Sequence, residues 1–176
     1  MLRNILIHGL IGGLIAGGFL SAVVATFEGA TGAYGMAIGY LIMLIGLTTI
    51  FIGIKRRRDL EQGGVIRFWP ALGLGLGISL VAGVVYALCW DVVLAMIGID
   101  AFVDKFAAAM LEGKSGAELA RATAEMESFR TSYHNPLFRL PMTFVEIFPV
   151  GLLVSLVSAA LLRNPRFMPA PATGEE

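Results

Sequence analysis

Four long apolar runs dominate this sequence of 176 residues. They cover residues 5–27, 34–54, 68–97 and 137–162, and the first two contain no Asp, Glu, Lys or Arg. A helix rises about 1.5 Å per residue, so about 20 apolar residues cross the hydrocarbon core of a bilayer. Each run is long enough. The sequence therefore predicts an all-α fold, a bundle of four transmembrane helices within a single membrane domain at residues 1–168.

The composition agrees with this prediction and excludes several classes of partner. Hydrophobic residues make up 57% of the chain and charged residues 15%, and the mean hydropathy is +0.80. The formal net charge is zero, which argues against nucleic acid, because phosphate binding needs a basic surface. The chain has one cysteine, Cys89, and no Cys/His spacing of a zinc site. We expect neither a metal nor a cofactor.

A short basic segment between the second and third runs predicts the orientation in the membrane. We interpret the stretch from Ile54 to Trp69 as a loop, and short loops rich in Lys and Arg stay in the cytoplasm. Four spans then place both termini in the cytoplasm, with the protein in the inner membrane. The four cations are also candidates for binding anionic lipid headgroups, although topology alone accounts for them. They are Lys55, Arg56, Arg57 and Arg58.

Residues 98–135 form the one substantial hydrophilic segment, and the topology places it outside the cytoplasm. Apolar residues at helical spacing predict two amphipathic helices, one after Asp100 and one after Ser115, where Glu118 completes a capping box. We expect this hairpin to pack on the outer mouth of the bundle or on itself. A role at the membrane surface or in partner binding is the alternative. The Pro- and Ala-rich tail at residues 169–176 is predicted to be disordered.

Several motifs of the chain resemble those of a known family. They are Gly39-Tyr40, residues 51–55, Arg58-Asp59, residues 63–66, Phe68, residues 124–127, Phe129, residues 135–138, Thr143-Phe144, Glu146 and residues 149–152. This pattern resembles the domain-of-unknown-function 4199 family of bacterial membrane proteins, and the match runs in order along nearly the whole chain. The resemblance supports the topology and implies no activity.

Glu146 is the ionisable residue that most demands a reason for its position. A charged side chain within a span costs about 2.5–3.5 kcal/mol on insertion scales. Glu146 lies roughly 13 Å along the fourth span, and Pro149 leaves the carbonyl of Val145 without its helical hydrogen bond. Such a pairing suits a ligand, an ion or a proton. The alternatives are a protonated Glu146 bonded to a neighbouring helix, or an ion pair with Arg139.

Three acidic residues fall in the outer half of the predicted bundle. Asp91 and Glu28 lie near the outer ends of their spans, where a solvated carboxylate explains each of them, and Trp90 is predicted to anchor the membrane interface. Together with Glu146 and Arg139 they are candidates for lining one outward-facing pocket. A protein built around that pocket would handle a small ligand, an ion or protons.

Small residues spaced by four point to a different class of function. The series are Gly9, Gly13 and Gly17; Gly35 and Gly39; Gly73 and Gly77; and Ser79, Gly83 and Ala87. Such spacing lets helices approach closely in lipid, within the bundle or against a second protein. The sequence contains no HExxH motif, paired His or nucleophile–base pair, so we predict no enzyme. We favour a structural or accessory protein that docks on a membrane partner or on its own copy, over the ligand-, ion- or proton-handling alternative.

Overall fold

The computed structural model of the chain describes residues 1–26 and 33–170, with side chains described for residues 1–21 and 37–170. All the regular structure in these ranges is helical. The helices are α1 (Leu2–Thr26), α2 (Ala33–Glu61), α3 (Phe68–Ile97), α4 (Ile99–Leu111), α5 (Gly116–Tyr133) and α6 (Pro136–Leu162). The prediction of an all-α fold is confirmed.

Four of these helices contain a stretch that is long and apolar enough to cross a membrane. The stretches are Leu2–Ser21, Ala37–Glu61, Phe68–Ile97 and Pro136–Leu162. Large apolar side chains cover the outer faces of the same helices; Leu41 is 57% exposed and Leu153 is 59% exposed. Soluble monomers rarely expose continuous apolar faces, whereas lipid favours them. The four helices therefore indicate a multi-pass membrane protein.

Two predicted segments fall mainly outside the described residues. The outer turn predicted at residues 28–33 includes only one residue that the structure describes, and the predicted disordered tail includes only residues 169 and 170. Both expectations therefore stay predictions.

The basic segment belongs to a helix, so the prediction of a loop beginning at residue 54 was wrong. α2 continues through this segment to Glu61. Lys and Arg are good helix formers, and the ion pair between Lys55 and Asp59 spans one helical turn. The helix ends where Gly63 and Gly64 adopt φ values of +61° and +86°, which side chains rarely tolerate.

α3 is the central helix of the bundle. It contacts α1, α2 and α6, while α2 contacts α1 and α6, and in the described part of the chain α1 and α6 do not meet. Backbones approach one another closely at glycines. A Cβ atom built on Gly46 would lie 2.7 Å from the carbonyl oxygen of Gly12, and one on Gly13 would lie 2.6 Å from the Cβ of Val85. In lipid, such close approach supplies the van der Waals contact that holds helices together.

Most of the predicted small-residue series are used inside the chain. A Cβ atom on Gly9, Gly13 or Gly17 would meet a side chain of α3, and one on Gly77 would meet Ile5 of α1. Gly39 and Gly73 are different, because a Cβ atom there meets nothing within 4 Å. The contacts of Gly35 lie outside the described side chains. The glycines facing α3 and α1 therefore serve the bundle itself.

The seam between α3 and α6 combines glycines with buried hydroxyls. The Oγ atoms of Ser79 and Ser155 lie 3.0 Å apart, within hydrogen-bond distance, and either could be the donor. Each hydroxyl also lies within hydrogen-bond distance of the carbonyl one turn earlier in its own helix. Gly75 faces Ser155, and Gly151 faces Ser79. The small residues make room for this pair, and each buried hydroxyl has a hydrogen-bond partner, as burial requires.

Arg58 connects the end of α2 to residues 163–170, which follow α6 and which we call the C-terminal segment. Its side chain is fully buried. The Nε atom donates to Asp59 at 2.6 Å, Nη1 donates to the carbonyl oxygen of Phe167 at 2.9 Å, and Nη2 donates to the carbonyl of Met168. The ring of Phe167 packs edge-on against Phe51 at 6.4 Å. These contacts fix the C-terminal segment on the end of the bundle.

The hydrophilic segment forms the predicted helical hairpin. α4 and α5 contact each other, α4 also contacts α3, and α5 contacts α6, so the hairpin packs both on itself and on the bundle. The predicted capping box is absent. Ser115 makes no side-chain cap bond, and Glu118 instead accepts a hydrogen bond from Lys114 at 2.9 Å. The chain enters α5 through Gly116 at φ +57°, a conformation unlike that of an ordinary first helical residue.

Candidate functional site

Arg139 is the central polar residue where the hairpin meets the bundle. It is 5% exposed. Its Nε donates to the Oδ1 atom of Asp91 at 2.7 Å, Nη2 donates to the same oxygen, and Nη1 donates to the carbonyl of Tyr133 at 2.9 Å. A buried guanidinium needs such partners, because an uncompensated charge in apolar surroundings is costly. Arg139 therefore joins α6 to α3 and to the end of α5.

A second group of ion pairs joins the two helices of the hairpin at its exposed side. Arg130 donates to Asp100 at 3.3 Å and also to Asp104. The Nε2 atom of His134 donates to the Oδ1 atom of Asp100 at 3.1 Å. The hydrogen bond from His134, with that from Arg130, holds the pKa of Asp100 below its usual 3.8. The start of α4 is thereby tied to the end of α5.

Five aromatic side chains form a continuous layer beneath these ion pairs. We call this layer the aromatic roof, and it consists of Trp90, Phe102, Phe106, Phe129 and Tyr133. Ring centroids of Phe129 and Tyr133 lie 4.9 Å apart, those of Trp90 and Phe102 5.2 Å, and those of Phe106 and Phe129 5.6 Å. The Nε1 atom of Trp90 donates to the Tyr133 hydroxyl at 2.9 Å. Burial raises the pKa of Tyr133, which keeps its own proton at neutral pH.

The position of Trp90 corrects one expectation from the sequence. Only 9% of Trp90 is exposed, so it does not anchor the membrane interface as predicted. Its place near the C-terminal end of α3 suggested an anchor, but the hairpin covers that end and buries the indole. Trp69 at the opposite end of α3 is 76% exposed and has the expected location of an interface residue.

A cavity of about 430 Å³ lies between the aromatic roof and the bundle. All five roof residues line it, and α1, α2, α3 and α6 supply the remaining walls. Seven of the thirteen lining residues are aromatic, and none of the thirteen is Lys, Arg or His. Binding sites for small molecules are typically cavities of about 300–1,000 Å³ with apolar and aromatic walls and few polar groups. This cavity has that size and that chemistry.

Glu146 is the one carboxylate in the wall of the cavity. It lies ten residues into α6, about 15 Å along the helix axis, and its side chain is exposed. Among the residues that the structure describes, no hydrogen-bond donor or cation is paired with it. The predicted alternative of an ion pair with Arg139 does not occur, because that guanidinium is bound to Asp91 and to the carbonyl of Tyr133. Glu146 is therefore available to a bound molecule.

The four predicted pocket residues divide into separate groups. Glu146 lines the cavity, whereas Asp91 and Arg139 form a pair beside it and do not line it. Glu28 lies outside the described residues. Glu146, Asp91 and Arg139 therefore do not line one pocket together; among the described residues the cavity has aromatic walls and one carboxylate, and the place of Glu28 stays a prediction. The buried ion pair holds the hairpin above the cavity.

The four basic residues predicted to contact lipid headgroups have different surroundings. Arg56 is exposed, and Lys55 is partly exposed and paired with Asp59. Arg57 is partly exposed and lies 4.0 Å from Glu61. Arg58 is fully buried and holds the C-terminal segment, so we no longer count it among the headgroup candidates. For the other three, headgroup binding stays a prediction.

Few features of the sequence indicate the walls of the cavity. The apolar spacing that predicts α4 and α5 includes Phe102, Phe129 and Tyr133, and Phe129 is also one of the family motifs, but neither pattern indicates a cavity. Tyr86 belongs to no motif. Within residues 1–26 and 33–170, the structure holds no group of three or more His, Cys, Asp or Glu residues able to bind a metal ion. The donors of the cavity suit an organic molecule better than a metal, because metal sites need several convergent ligands.

The fold and the cavity define the class: an α-helical, multi-pass membrane protein with an aromatic cavity under a helical hairpin. The chain belongs to the family described as "Protein of unknown function (DUF4199)", whose model matches residues 7–164. This range includes α2 to α6 and most of α1, and it confirms the resemblance seen in the sequence motifs. No curated protein and no solved structure matches the chain.

Proposed function

We propose that this protein binds a small, largely apolar molecule in the cavity beneath the aromatic roof. The observation that carries the proposal is the exposed carboxylate of Glu146 within a transmembrane helix, facing an aromatic cavity of about 430 Å³. Ionisable residues within spans generally face a cavity or a bundle interior and mark functional sites. The hairpin closes the outer side of the cavity and is held there by the buried pair of Arg139 and Asp91.

The test uses two matched glycines. Gly39 lines the cavity and Gly73 does not, and a Cβ atom on either meets nothing within 4 Å. Gly39→Leu should therefore fill cavity space without a clash, and Gly73→Leu is its control. The protein and both variants are extracted gently from their own membrane and examined by native mass spectrometry.

We expect a bound small molecule on the wild type and on Gly73→Leu, and its loss from Gly39→Leu. Equal loading of all three proteins places the molecule elsewhere and contradicts the proposal. Bare protein in all three preparations contradicts it as well.

The orientation is part of the same proposal. The distribution of Lys and Arg supports cytoplasmic termini and a location in the inner membrane, with the cavity and the hairpin on the outer side. Single cysteines replacing Ser115 on the hairpin and Gln62 after α2 are to be tested in a Cys89→Ser background. A membrane-impermeant reagent should label the cysteine at 115 in intact cells and not the one at 62. The opposite labelling would invert the topology.

A structural or accessory role is the second candidate, and the packing of the glycines reduces its support. Gly9, Gly13, Gly17 and Gly77 contact neighbouring helices of the same chain, so they are not free for a partner. The same mass spectra test this role. A stoichiometric protein partner, or a second copy of the chain, would favour it over ligand binding. The absence of enzymatic activity stays a prediction.

A further inference from the structure

The cavity combines one negative group with walls that carry no positive group. Its thirteen lining residues include Glu146 and no Lys, Arg or His. The nearest basic residue on the same helix, Arg139, is two turns away, buried, and bonded to Asp91 and to the carbonyl of Tyr133. The protein thus offers a carboxylate in an apolar setting without a counter-ion from the cavity wall.

The remaining walls suit the apolar body of an organic ion. Aromatic rings attract cations through the negative potential of their faces, and they also pack on aliphatic and aromatic groups. Tyr40, Tyr86 and the five residues of the aromatic roof supply seven such rings. Thr143 contributes little polarity, because its hydroxyl donates to the carbonyl of Arg139 at 3.0 Å. A small inorganic cation would find a single carboxylate and no set of oxygen ligands.

The exposed parts of the wall indicate the route of entry. Three lining residues of α2 and α6 remain exposed: Tyr40 at 49%, Met142 at 47%, and Glu146. Met142 and Glu146 are separated by one helical turn, and both lie well inside α6 rather than at its first residues. The cavity therefore reaches the surface at the side of the bundle, where a membrane protein faces lipid.

We infer that the ligand is a lipophilic organic monocation, such as an aryl-substituted quaternary ammonium, that enters from the bilayer between α2 and α6 and pairs with Glu146. This inference rests on the proposed function, since it names the class of molecule that occupies the same cavity. An amphiphilic cation concentrates near the lipid headgroups, and a carboxylate in the outer half of a span is within its reach. Pairing also offsets the cost of an ionised carboxylate at that depth.

The test compares two probes of the same shape. Benzyltrimethylammonium carries a positive charge, and (2,2-dimethylpropyl)benzene is its neutral carbon isostere. Binding is read from the emission of Trp90, which lines the cavity, in a Trp69→Phe background that leaves it as the sole tryptophan. The protein is held in lipid nanodiscs, and the Gly39→Leu variant serves as the control for partitioning into lipid.

Glu146→Gln preserves the shape of the side chain and removes its charge. We expect it to weaken binding of the cation by about tenfold or more, because an ion pair in a partly apolar site is lost, and to leave the neutral probe unchanged. Adding Met142→Glu to Glu146→Gln returns a carboxylate to the cavity one turn away and should restore part of the affinity for the cation. This rescue also shows that the variant folds.

The possible outcomes separate the inference from the proposed function. If the neutral probe binds as well as the cation and Glu146→Gln changes neither, the cation inference is overturned and the ligand cavity stands. If neither probe changes the emission of Trp90 but mass spectrometry finds a bound neutral molecule, the cation inference is again overturned and the ligand cavity stands. If neither probe binds and no molecule is found, both proposals fail.

Discussion

Helices α1 and α2 cross in close contact at Gly46, so we expect a single methyl group added at this residue to push the two helices apart. A Cβ atom on Gly46 would lie 2.7 Å from the carbonyl oxygen of Gly12 and 2.9 Å from both the Cβ and the backbone nitrogen of Ala16. Ordinary contacts of these atom types are about 3.3 Å or longer. Two of the three atoms belong to the backbone of α1, so no side-chain rotation relieves the clash and the whole helix has to move.

The magnitude follows from two opposing effects. Alanine is favoured over glycine in a helix by about 1 kcal/mol, and this gain applies at any helical glycine. Overpacking costs about 1–3 kcal/mol, and the upper half of that range applies where backbone atoms are opposed. We therefore expect Gly46→Ala to lower the free energy of unfolding by about 1–2 kcal/mol. Gly73→Ala, whose Cβ atom meets nothing within 4 Å, should be neutral or stabilising by up to about 1 kcal/mol.

The assay is reversible unfolding by sodium dodecyl sulfate, followed by circular dichroism for the two variants and the wild type under identical conditions. The decisive quantity is the difference in the free energy of unfolding between Gly46→Ala and Gly73→Ala. The gain in helix propensity is the same in both variants and cancels, so the cost of overpacking remains, about 2–3 kcal/mol. Equal stabilities of the two variants would refute the conclusion that α1 and α2 meet at backbone contact.

Three further predictions concern polar contacts. Asp91→Asn leaves the buried guanidinium of α6 without its anion, so the free energy of unfolding should fall by about 2–3 kcal/mol, less than for a fully buried pair because Asp91 is 35% exposed; an unchanged value would contradict the pairing. The hydrogen bond from His134 lowers the pKa of Asp100, so ionised Asp100 stabilises the hairpin at pH values above 3.8, the ordinary pKa of this group. This stabilisation is lost as the pH falls through the lowered pKa. The emission of Trp90, which packs against Phe102 of the hairpin, should change as this stability is lost, and Asp100→Asn should remove that change; a change that persists in the variant would belong to another group. Arg58→Met should speed tryptic cleavage of the C-terminal segment, whereas exposed Arg56→Met should not; equal rates would show that the buried contacts do not hold it.

The spans and the hairpin were predictable because each depends on residues close together in the sequence. Hydropathy over about 20 residues identifies a span, and apolar residues repeating at helical spacing identify an amphipathic helix. The end of α2 was missed for the same local reason, since a run of cations resembles a loop. Its helical continuation depends on ion pairs one turn apart, such as Lys55 with Asp59, and the true break comes at Gly63.

The cavity was not predictable in this way, because its walls come from all six helices and depend on the hairpin's return onto the bundle. The sequence identified Glu146 as unusual and could not show that Arg139 would choose Asp91 on another helix instead. That choice depends on the distance between α3 and α6, which no spacing along the chain encodes. Trp90 was misplaced because the sequence left open whether α4 and α5 pack on the bundle or on each other, and only packing on the bundle buries the indole.

Arg58 holds the C-terminal segment by main-chain oxygens, those of Phe167 and Met168, and this has a consequence for tolerance to change. Every residue type presents the same carbonyl group, so the polar part of the contact is indifferent to what stands at position 168, which is also 50% exposed. Met168 adopts a φ of +47°, so Gly or Asn should replace it without strain, whereas a β-branched residue should not. A shortening of the chain before residue 167 would instead strip two acceptors from a fully buried cation. We therefore expect the protein to tolerate a fusion tag attached beyond residue 170. We expect it not to tolerate a deletion that removes Phe167 and Met168.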